Sequence, residues 1–219
     1  MSTVLTIDDV SLRAAREIVD RGGVIVVPTD TVYGIACDPF NEEAVERIYE
    51  VKRRPRSKAL QILVPSVESL ESLGLVLPPA LRRLSAALLP GPFSPIAVAD
   101  EGCSLVTVRH EADGSFSQAI RVPDSDVSRS VLMEIGALAA SSANRSGGRS
   151  PQSVEEAVDA LGDDVDLYLD GGPTSSHVAS TVVAADSGSS SGVSVIREGV
   201  IPAAEILRIL HADGGGLVA

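Results

Sequence analysis

Apolar residues follow two patterns along this chain of 219 residues, and each pattern predicts a different element. Where they recur every three or four positions they predict amphipathic helices, and short continuous runs are typical of strands buried on both faces. The helical pattern covers residues 11–21, 41–54, 79–89, 127–135, 153–162 and 202–211. The continuous runs cover residues 24–27, 60–64, 96–99, 105–108, 119–122, 137–140, 165–169, 180–184 and 193–196.

Residues at the ends of these segments support the boundaries. Gly22 and Gly23 end the first helix, because glycine readily adopts the backbone that follows a helix. Asn41 is a favourable N-cap for the second helix, and Pro55 ends that helix. Residues 100–102 form a turn through which we expect the strands at 96–99 and 105–108 to pair.

The order of these elements predicts the fold class. Strands and helices mix irregularly, without the regular alternation of a doubly wound fold, and no internal repeat or linker divides the chain. We therefore expect a single α/β domain over residues 1–219, with a twisted mixed β-sheet and flanking helices. The motif-bearing core runs from about residue 10 to 210, and the glycine-rich tail 212–219 is expected to be flexible.

Composition narrows the class further. Hydrophobic residues make up 44% of the chain but aromatic residues only 3%, so the core must consist of Val, Leu, Ile and Ala. Two cysteines without CxxC spacing predict no disulfide framework, and three scattered histidines predict no metal site. The N-terminus has no signal-peptide pattern, and no apolar run reaches the roughly 18 residues of a membrane span, so we expect a cytoplasmic protein.

Charge singles out one short segment. The formal net charge is −12, which argues against a broad nucleic-acid-binding surface, since such a surface is usually basic. Residues 52–58 nevertheless contain five of the 18 Lys and Arg residues. A helix that ends in cations, close to a strand that ends in hydroxyl groups, favours a site for a small polyanion.

This basic cluster has a second interpretation. Cations at the C-terminus of a helix also complement the helix dipole and stay solvated. We assign that solvated role to Arg53 and Arg56, whereas for Lys52, Arg54 and Lys58 both interpretations remain open at this point.

Two further segments could hold a ligand. Residues 28–31 place hydroxyl groups at the end of a buried strand, where α/β sheets bind ligands, but they also fit a turn that caps itself. Residues 141–148 are rich in Ser and Gly, which suits either a phosphate-binding loop or a flexible polar loop. The usual nucleotide-binding loops and the GxSxG nucleophile motif are missing from the sequence, so any nucleotide must be held by another arrangement.

Taken in order, these segments resemble the YrdC-like threonylcarbamoyl-AMP synthases, in the short single-domain form. The resemblance covers about residues 23–199 and consists of six short motifs. They are VVPTDTVYG at 26–34, KRRP at 52–55 with Lys58 beyond it, RVPD at 121–124, SANRSG at 142–147, STVV at 180–183 and IREG at 196–199.

The resemblance implies a fold, a reaction and a set of site residues. The fold is a twisted α/β sheet with a concave basic pocket, and the enzyme is a nucleotidyltransferase. L-Threonine, bicarbonate and ATP give threonylcarbamoyl-AMP and pyrophosphate, the first step of threonylcarbamoyladenosine formation in tRNA. The implied catalytic residues are Lys52 and Arg54. The implied ATP contacts are Arg54, Lys58, Ser117, Ser142, Asn144, Ser150 and Arg197. The implied threonine contacts are Thr31, Arg121 and Ser180, with Arg121 pairing with the carboxylate.

The same resemblance implies partners. Mg²⁺ is expected to arrive with ATP, without a dedicated protein metal site, and tRNA and the downstream threonylcarbamoyl transferase are possible partners. The alternative function is a YrdC-like module that binds RNA without chemistry, and the net charge of −12 counts against it.

Two features depart from the family pattern. Leu63 stands where some relatives have His, and its apolar side chain makes no polar contact to threonine. The segment 109–115 is longer than usual before Ser117, and we expect it to form a hairpin extension near the pocket.

Overall fold

The structure is a computed structural model and describes residues 2–176 and 178–212. Within these residues the helices are α1 (Asp9–Asp20), α2 (Glu42–Lys52), α3 (Pro79–Leu88), α4 (Asp126–Ile135), α5 (Val154–Leu161) and α6 (Ala203–Ala212). Two short 3₁₀ helices span Val67–Leu73 and Gly162–Asp164. The predicted flexible tail lies outside the described residues except for Ala212, which ends α6.

The described strands join into one sheet. They are β1 (Val4–Thr6), β2 (Ile25–Val27), β3 (Gly34–Cys37), β4 (Gln61–Leu63), β5 (Leu75–Val76), β6 (Phe93–Ala99), β7 (Arg109–His110), β8 (Phe116–Arg121), β9 (Leu138–Ser142), β10 (Leu167–Asp170), β11 (Thr181–Ala185) and β12 (Val193–Arg197). Their order is β1-β10-β2-β3-β9-β4-β8-β6-β11-β12, with β5 beside β6 and β7 beside β8.

The pairing of neighbouring strands confirms the predicted mixed sheet. Strand β4 runs parallel to β8 but antiparallel to β9, and β11 runs parallel to β6 but antiparallel to β12. The domain limits near residues 10 and 210 stay a prediction.

Each face of the sheet supports its own apolar cluster. Val26 packs into the larger cluster with residues of α2, α3, α5 and α6, whereas Val27 packs into the smaller one with residues of α1 and α4. Neighbouring residues of β2 therefore face opposite sides, and all three residues of the strand are buried. This arrangement explains why the sequence of β2 is continuously apolar rather than alternating.

The same alternation places the functional face. Leu63 packs with α4 in the smaller cluster, and Gln61, two residues earlier on β4, points to the same side of the sheet. Beyond Gln61, towards β8, β6, β11 and β12, this side carries an open cavity instead of the apolar cluster.

The predicted helix boundaries agree with the observed ones to within two residues, although α1 begins earlier, at Asp9, and α2 ends at Lys52, three residues before Pro55. The side-chain oxygen of Asn41 accepts a hydrogen bond from the Ala44 N–H at the start of α2. Ser153 caps α5 in the same way, and Gly136 and Gly162 follow α4 and α5 directly.

One predicted strand is wrong. Residues 105–108 form an irregular segment, in which Leu105 enters the larger apolar cluster and the Val106 N–H donates to the Pro39 carbonyl. The antiparallel partner of β6 is β8, not this segment. Leu105 is buried and Val108 packs partly against the same cluster, whereas Val106 is exposed, and none of these residues pairs as a strand. Periodicity along the sequence does not distinguish such a segment from a strand. Strand β3 was not predicted either, because it directly follows the hydroxyl-rich turn.

Candidate functional site

The cavity on the open face has a volume of about 510 Å³ and collects much of the positive charge of the motifs. Its walls come from the loop after α2, the 107–111 segment, β4, β6, β8, β9, β11 and β12. The charged residues that line it are Arg54, Lys58, Arg109, Glu111, Arg121 and Arg197. Five cations thus face one carboxylate, in a chain with a net charge of −12, so the lining favours an anionic ligand.

The turn between β2 and β3 positions Thr31. The Thr29 hydroxyl accepts hydrogen bonds from the N–H groups of Thr31 and Val32 and donates to the Val32 carbonyl at 2.6 Å. The turn therefore caps itself, as one interpretation of the sequence expected. The Thr31 hydroxyl lies 3.1 Å from the Thr29 hydroxyl and also accepts a hydrogen bond from a more distant partner.

That partner is Arg121, the last residue of β8. Its Nη1 donates to the Thr31 hydroxyl at 2.8 Å, and its Nη2 donates to an Asp30 carboxylate oxygen at 2.5 Å. Only 2% of Arg121 is exposed, and its Nε is buried without a partner. Burial lowers the pKa of Arg121 from its ordinary value, whereas the Asp30 carboxylate opposes that change. Arg121 is therefore a fixed cation in the cavity wall, and its Nε–H is still available as a donor.

Ser180 and Arg197 extend this wall from the neighbouring strands. The Ser180 hydroxyl lies 2.8 Å from the buried Ser94 hydroxyl, and Arg197 Nη2 donates to the Ser180 carbonyl at 2.8 Å. Burial lowers the pKa of Arg197, and the positive charges of Arg121 and Arg54 lower it further. Arg197 is thus repelled by two other guanidinium groups, and an anionic ligand would relieve that repulsion. We call the group of Asp30, Thr31, Arg121 and Ser180 the buried end of the cavity.

Arg54 and Lys58 lie at the other end. Arg54 donates from Nε to the Lys58 carbonyl at 3.0 Å and from Nη2 to the Ala59 carbonyl at 2.8 Å. Burial lowers the pKa of Arg54, although the residue is only partly buried, whereas Lys58 is exposed at the rim. We call the group of Arg54, Lys58, Arg109 and Glu111 the open end of the cavity.

The remaining cations of the basic cluster lie outside the cavity. Arg53 is exposed and ends α2 in the left-handed region with φ of 49°. Arg56 pairs with Glu46, and its guanidinium carbon lies 5.7 Å from the ring centre of Tyr49. Arg54 and Lys58 therefore line the cavity and Arg53 and Arg56 do not, whereas phosphate binding by Arg54 and Lys58 stays a prediction.

Lys52 occupies a different place from the rest of its motif. It is buried at the end of α2, does not line the cavity, and donates from Nζ to the carbonyls of Ser142 and Asn144, the latter at 2.5 Å. Burial lowers the pKa of Lys52 to about 7, and the charges of Arg54 and Arg145 act in the same direction. Lys52 thus holds the segment after β9, and its direct contact with ATP stays a prediction.

The segment 142–150 also lies partly in the cavity wall and partly outside it. Ser142 lines the cavity, but Asn144 and Ser150 do not. Asn144 is buried, its Nδ2 donates to the carbonyls of Arg145 and Gly148, and its Oδ1 has no partner. The Ser146 N–H donates to the Lys52 carbonyl at 2.7 Å, so the segment is tied to the end of α2. Nucleotide contacts of Asn144 and Ser150 stay predictions.

The predicted hairpin extension is confirmed. Strand β7 pairs antiparallel with β8, with Arg109 opposite Ser117, and the Ser117 hydroxyl donates to the Glu111 carboxylate. Ser117 and Glu111 both line the cavity.

Sequence reasoning missed several lining residues. Gln61 lines the cavity from within the predicted strand 60–64, where a polar residue inside an apolar run was the available signal. Ser94, whose hydroxyl donates to Gln61, lies before the predicted strand 96–99, and no comparable signal marks it in the sequence. Arg109 and Glu111 were recognised only as part of a long segment. Asp30 lay within a motif, but nothing in the sequence indicated its pairing with Arg121.

Among residues 2–176 and 178–212, no three His, Cys, Asp or Glu side chains form a group that could hold a metal ion. None of the helices in these residues is long and apolar enough to cross a membrane.

Comparison with known proteins gives a consistent set of relatives. The family model Sua5_yciO_yrdC, described as "Telomere recombination", matches residues 17–199. A Mycobacterium tuberculosis protein named "Putative threonylcarbamoyl-AMP synthase" is 35% identical over 199 residues, which cover 91% of this chain and 88% of that protein.

Solved structures extend the comparison. The crystal structure of Pyrococcus abyssi Sua5 complexed with L-threonine matches with a TM-score of 0.83 and 28% identity over 95% of this chain. The match covers only 60% of that longer chain. The crystal structure of Escherichia coli YciO matches with a TM-score of 0.78 and 26% identity, over 91% of this chain and 97% of that one.

Proposed function

The chain belongs to the Sua5/YciO/YrdC family, and on that premise we propose that it is a threonylcarbamoyl-AMP synthase. The enzyme converts L-threonine, bicarbonate and ATP into threonylcarbamoyl-AMP and pyrophosphate. The observation that carries the proposal is the cavity of about 510 Å³ with five cations and one carboxylate in its lining. Relatives named for this activity over most of the chain support it.

The reaction needs one carboxylate and one triphosphate to be held close together. The threonine amine takes up bicarbonate, with loss of water, to give a carbamate whose oxygen attacks the α-phosphorus while pyrophosphate leaves. No protein nucleophile is needed. The contribution of the protein is to place the reacting groups and to neutralise the negative charge that accumulates.

The buried end suits the amino acid. Arg121 is held by Asp30 and Thr31, and its Nε–H has no partner, so it would pair with the threonine carboxylate. Ser180, fixed by Ser94, would accept or donate a hydrogen bond to the same substrate.

The open end suits the nucleotide phosphates. Arg54 and Lys58 would bind their oxygens, with Arg197 between the two ends and Ser142 on the adjacent strand. Lys52 would hold the Ser142–Asn144 segment in place. Mg²⁺ would enter as part of the substrate, MgATP, and would neutralise charge on the phosphate oxygens.

The product has a further use. We propose that it feeds threonylcarbamoyladenosine formation in tRNA through a downstream transferase, and that the protein acts in the cytoplasm, where tRNA is modified. The rival function, RNA binding without chemistry, is disfavoured because the cations converge in a cavity rather than spread over a surface.

The test is an assay of pyrophosphate release by the purified protein. With ATP, bicarbonate and L-threonine we expect release that stops when either threonine or bicarbonate is omitted. Pyrophosphate release that does not require threonine would overturn the proposal. The absence of pyrophosphate release together with tight tRNA binding would overturn it as well.

A further inference from the structure

The hairpin formed by β7 and β8 carries side chains of different character on its two faces. Arg109, Glu111 and Ser117 face the cavity. His110 and Phe116 form the next pair of the ladder, with ring centres 4.9 Å apart and nearly perpendicular planes. Because successive residues of a strand point to opposite sides, the aromatic pair fixes which side chains the hairpin presents to the cavity.

The loop of this hairpin is tightly constrained. The Glu111 N–H donates to the Ser115 carbonyl at 2.8 Å, and the Gly114 N–H donates to the Glu111 carbonyl at 3.0 Å. Asp113 accepts hydrogen bonds from both the N–H and the hydroxyl of Ser115. Glu111 is therefore held at its backbone, and its carboxylate is aimed into the cavity from a rigid support.

The hydrogen bond between Ser117 and Glu111 determines what the pair offers a ligand. A serine hydroxyl has one proton, and the Ser117 hydroxyl donates it to Glu111. The remaining lone pairs of Ser117 and the second oxygen of Glu111 are all acceptors. Among the described residues no Lys or Arg forms an ion pair with Glu111 within 4.0 Å, so no ion pair within the chain neutralises its carboxylate. The result is an acceptor patch inside a cavity whose other charged groups are donors.

An acceptor patch selects the part of the ligand that contacts it. Phosphate oxygens are also acceptors and negatively charged, so the patch repels them. The ligand group that lies there must carry O–H or N–H donors. For a nucleoside triphosphate the candidates are the ribose hydroxyls and the amino group of the base, and for the amino acid the candidate is its ammonium group.

Position within the cavity decides between these candidates. Ser117 and Arg121 lie four residues apart on β8, which corresponds to about 13 Å along an extended strand, so the patch is remote from the amino-acid end. Arg54 contacts the carbonyls of Lys58 and Ala59, and the next carbonyl, that of Leu60, accepts from Gln118 beside Ser117. The patch therefore lies next to the cations expected to bind the phosphates. The ribose is covalently adjacent to the phosphates, whereas the amino group of the base is on the far side of the base.

We propose that Glu111 is a specificity-determining residue that accepts hydrogen bonds from the ribose hydroxyls of the bound nucleotide, with Ser117 as its partner. The inference rests on the proposed function for the identity of the ligand as ATP. It assigns a role to the hairpin extension, which is to recognise the ribose of the nucleotide through its hydroxyl groups. Carboxylates recognise ribose hydroxyls in other nucleotide sites for the same chemical reason.

The experiment compares ATP with 2′-deoxyATP and 3′-deoxyATP, bound to the full chain in the absence of threonine and bicarbonate. For the unchanged protein we expect at least one deoxynucleotide to bind about 10- to 100-fold more weakly than ATP, because a hydrogen bond to a charged acceptor is lost. In Glu111→Ala we expect ATP to weaken by a similar factor, while that deoxynucleotide changes by less than about 3-fold. Glu111→Gln, which keeps one acceptor oxygen, should fall between the two.

Asp113→Ala is the matched control. Asp113 supports the hairpin loop but does not line the cavity, so any effect of its removal on ATP and the deoxynucleotides should be equal. Equal weakening of all three nucleotides by Glu111→Ala would show a merely structural role and overturn the inference. If Glu111→Ala changed only the Mg²⁺ dependence of binding, Glu111 would be a metal ligand. If all three nucleotides bound more tightly to Glu111→Ala, the carboxylate would repel the nucleotide. Either result would overturn the inference.

The same measurements separate the inference from the proposed function. Discrimination between ATP and the deoxynucleotides without threonine-dependent pyrophosphate release would retain the ribose contact and refute the synthase. Threonine-dependent release with equal use of ATP and both deoxynucleotides would retain the synthase and refute the ribose contact. Failure to bind any nucleotide would refute both.

Discussion

The two ends of the cavity hold their cations in opposite ways. At the buried end, Arg121 is 2% exposed and is fixed by Asp30 and Thr31. At the open end, Lys58 and Arg109 are exposed, and neither forms an ion pair within 4.0 Å among the described residues. A fixed guanidinium suits a small ligand that must be held in one orientation, whereas exposed cations suit a flexible polyanion that arrives with its own metal ion.

The same difference predicts how the two ends respond to change. A buried ion pair has lost its hydration, so removing one partner leaves an uncompensated charge and damages the fold as well as the site. An exposed cation is hydrated and screened by salt, so its removal affects binding with little effect on folding. Substitutions at the two ends should therefore differ in kind as well as in size.

The largest effect is expected for Arg121→Ala. It leaves the Asp30 carboxylate buried without its cation, so we expect the free energy of unfolding to fall by about 3–5 kcal/mol. Loss of the carboxylate contact should lower kcat/KM for threonine by about 100- to 1,000-fold. Urea denaturation and the pyrophosphate assay measure the two effects separately.

A second substitution separates stability from binding. Asp30→Asn in the Arg121→Ala background removes the uncompensated charge, so it should restore much of the stability while activity stays low. If Arg121→Ala alone leaves the free energy of unfolding unchanged, the ion pair between Arg121 and Asp30 does not stabilise the buried end.

The next largest effect is expected from Lys52, whose burial should make the free energy of unfolding depend on pH. In the unfolded chain Lys52 keeps its proton up to its ordinary pKa of 10.5, whereas in the folded chain it loses the proton near its lowered pKa of about 7. Between these values the unfolded chain binds more protons, so stability rises with pH, and the cost of burying the charged amine is fully present below pH 7.

The comparison variant is Lys52→Met, because the methionine side chain has no titratable group. Between pH 7 and 9 the free energy of unfolding of the unchanged protein should rise relative to Lys52→Met by up to about 1.4 kcal/mol per pH unit. Chemical denaturation of both proteins across this range measures the difference. A flat difference would mean that Lys52 titrates near its ordinary pKa, as an exposed residue would, and that it belongs with the open end.

The sequence predicted most of the fold because the signals were local. The N-cap at Asn41, the two glycines after α1, and the continuous apolar run of β2 each act within a few residues. The strand predicted at 105–108 was wrong for the opposite reason, because Leu105 and Val108 pack against distant neighbours without strand pairing and Val106 is exposed.

The site was predicted less evenly. Its motifs identified most of the cations that line the cavity, but not which side chains meet. The pairing of Arg121 with Asp30 spans 91 positions, and that of Lys52 with Ser142 spans 90. Such contacts depend on the order of strands in the sheet, which periodicity along the chain does not determine. The placement of Lys52 outside the cavity follows from the same long-range packing.

The smallest effects are expected at the open end, where three arginines of one cluster provide a matched set. Arg54→Ala should raise KM for ATP by about 10-fold, through loss of a charged hydrogen-bond donor, and the effect should shrink at high salt. Arg56→Ala should change KM by less than about 2-fold, because Arg56 is exposed and paired with Glu46 outside the cavity. Arg53→Gly should leave KM unchanged and raise the free energy of unfolding by about 0.5–1 kcal/mol, since glycine adopts the φ of 49° without strain. Kinetics at two salt concentrations and urea denaturation measure these effects. Equal increases in KM for all three variants would show that the cluster acts as diffuse charge, and the open end would then have no specific phosphate contact at Arg54.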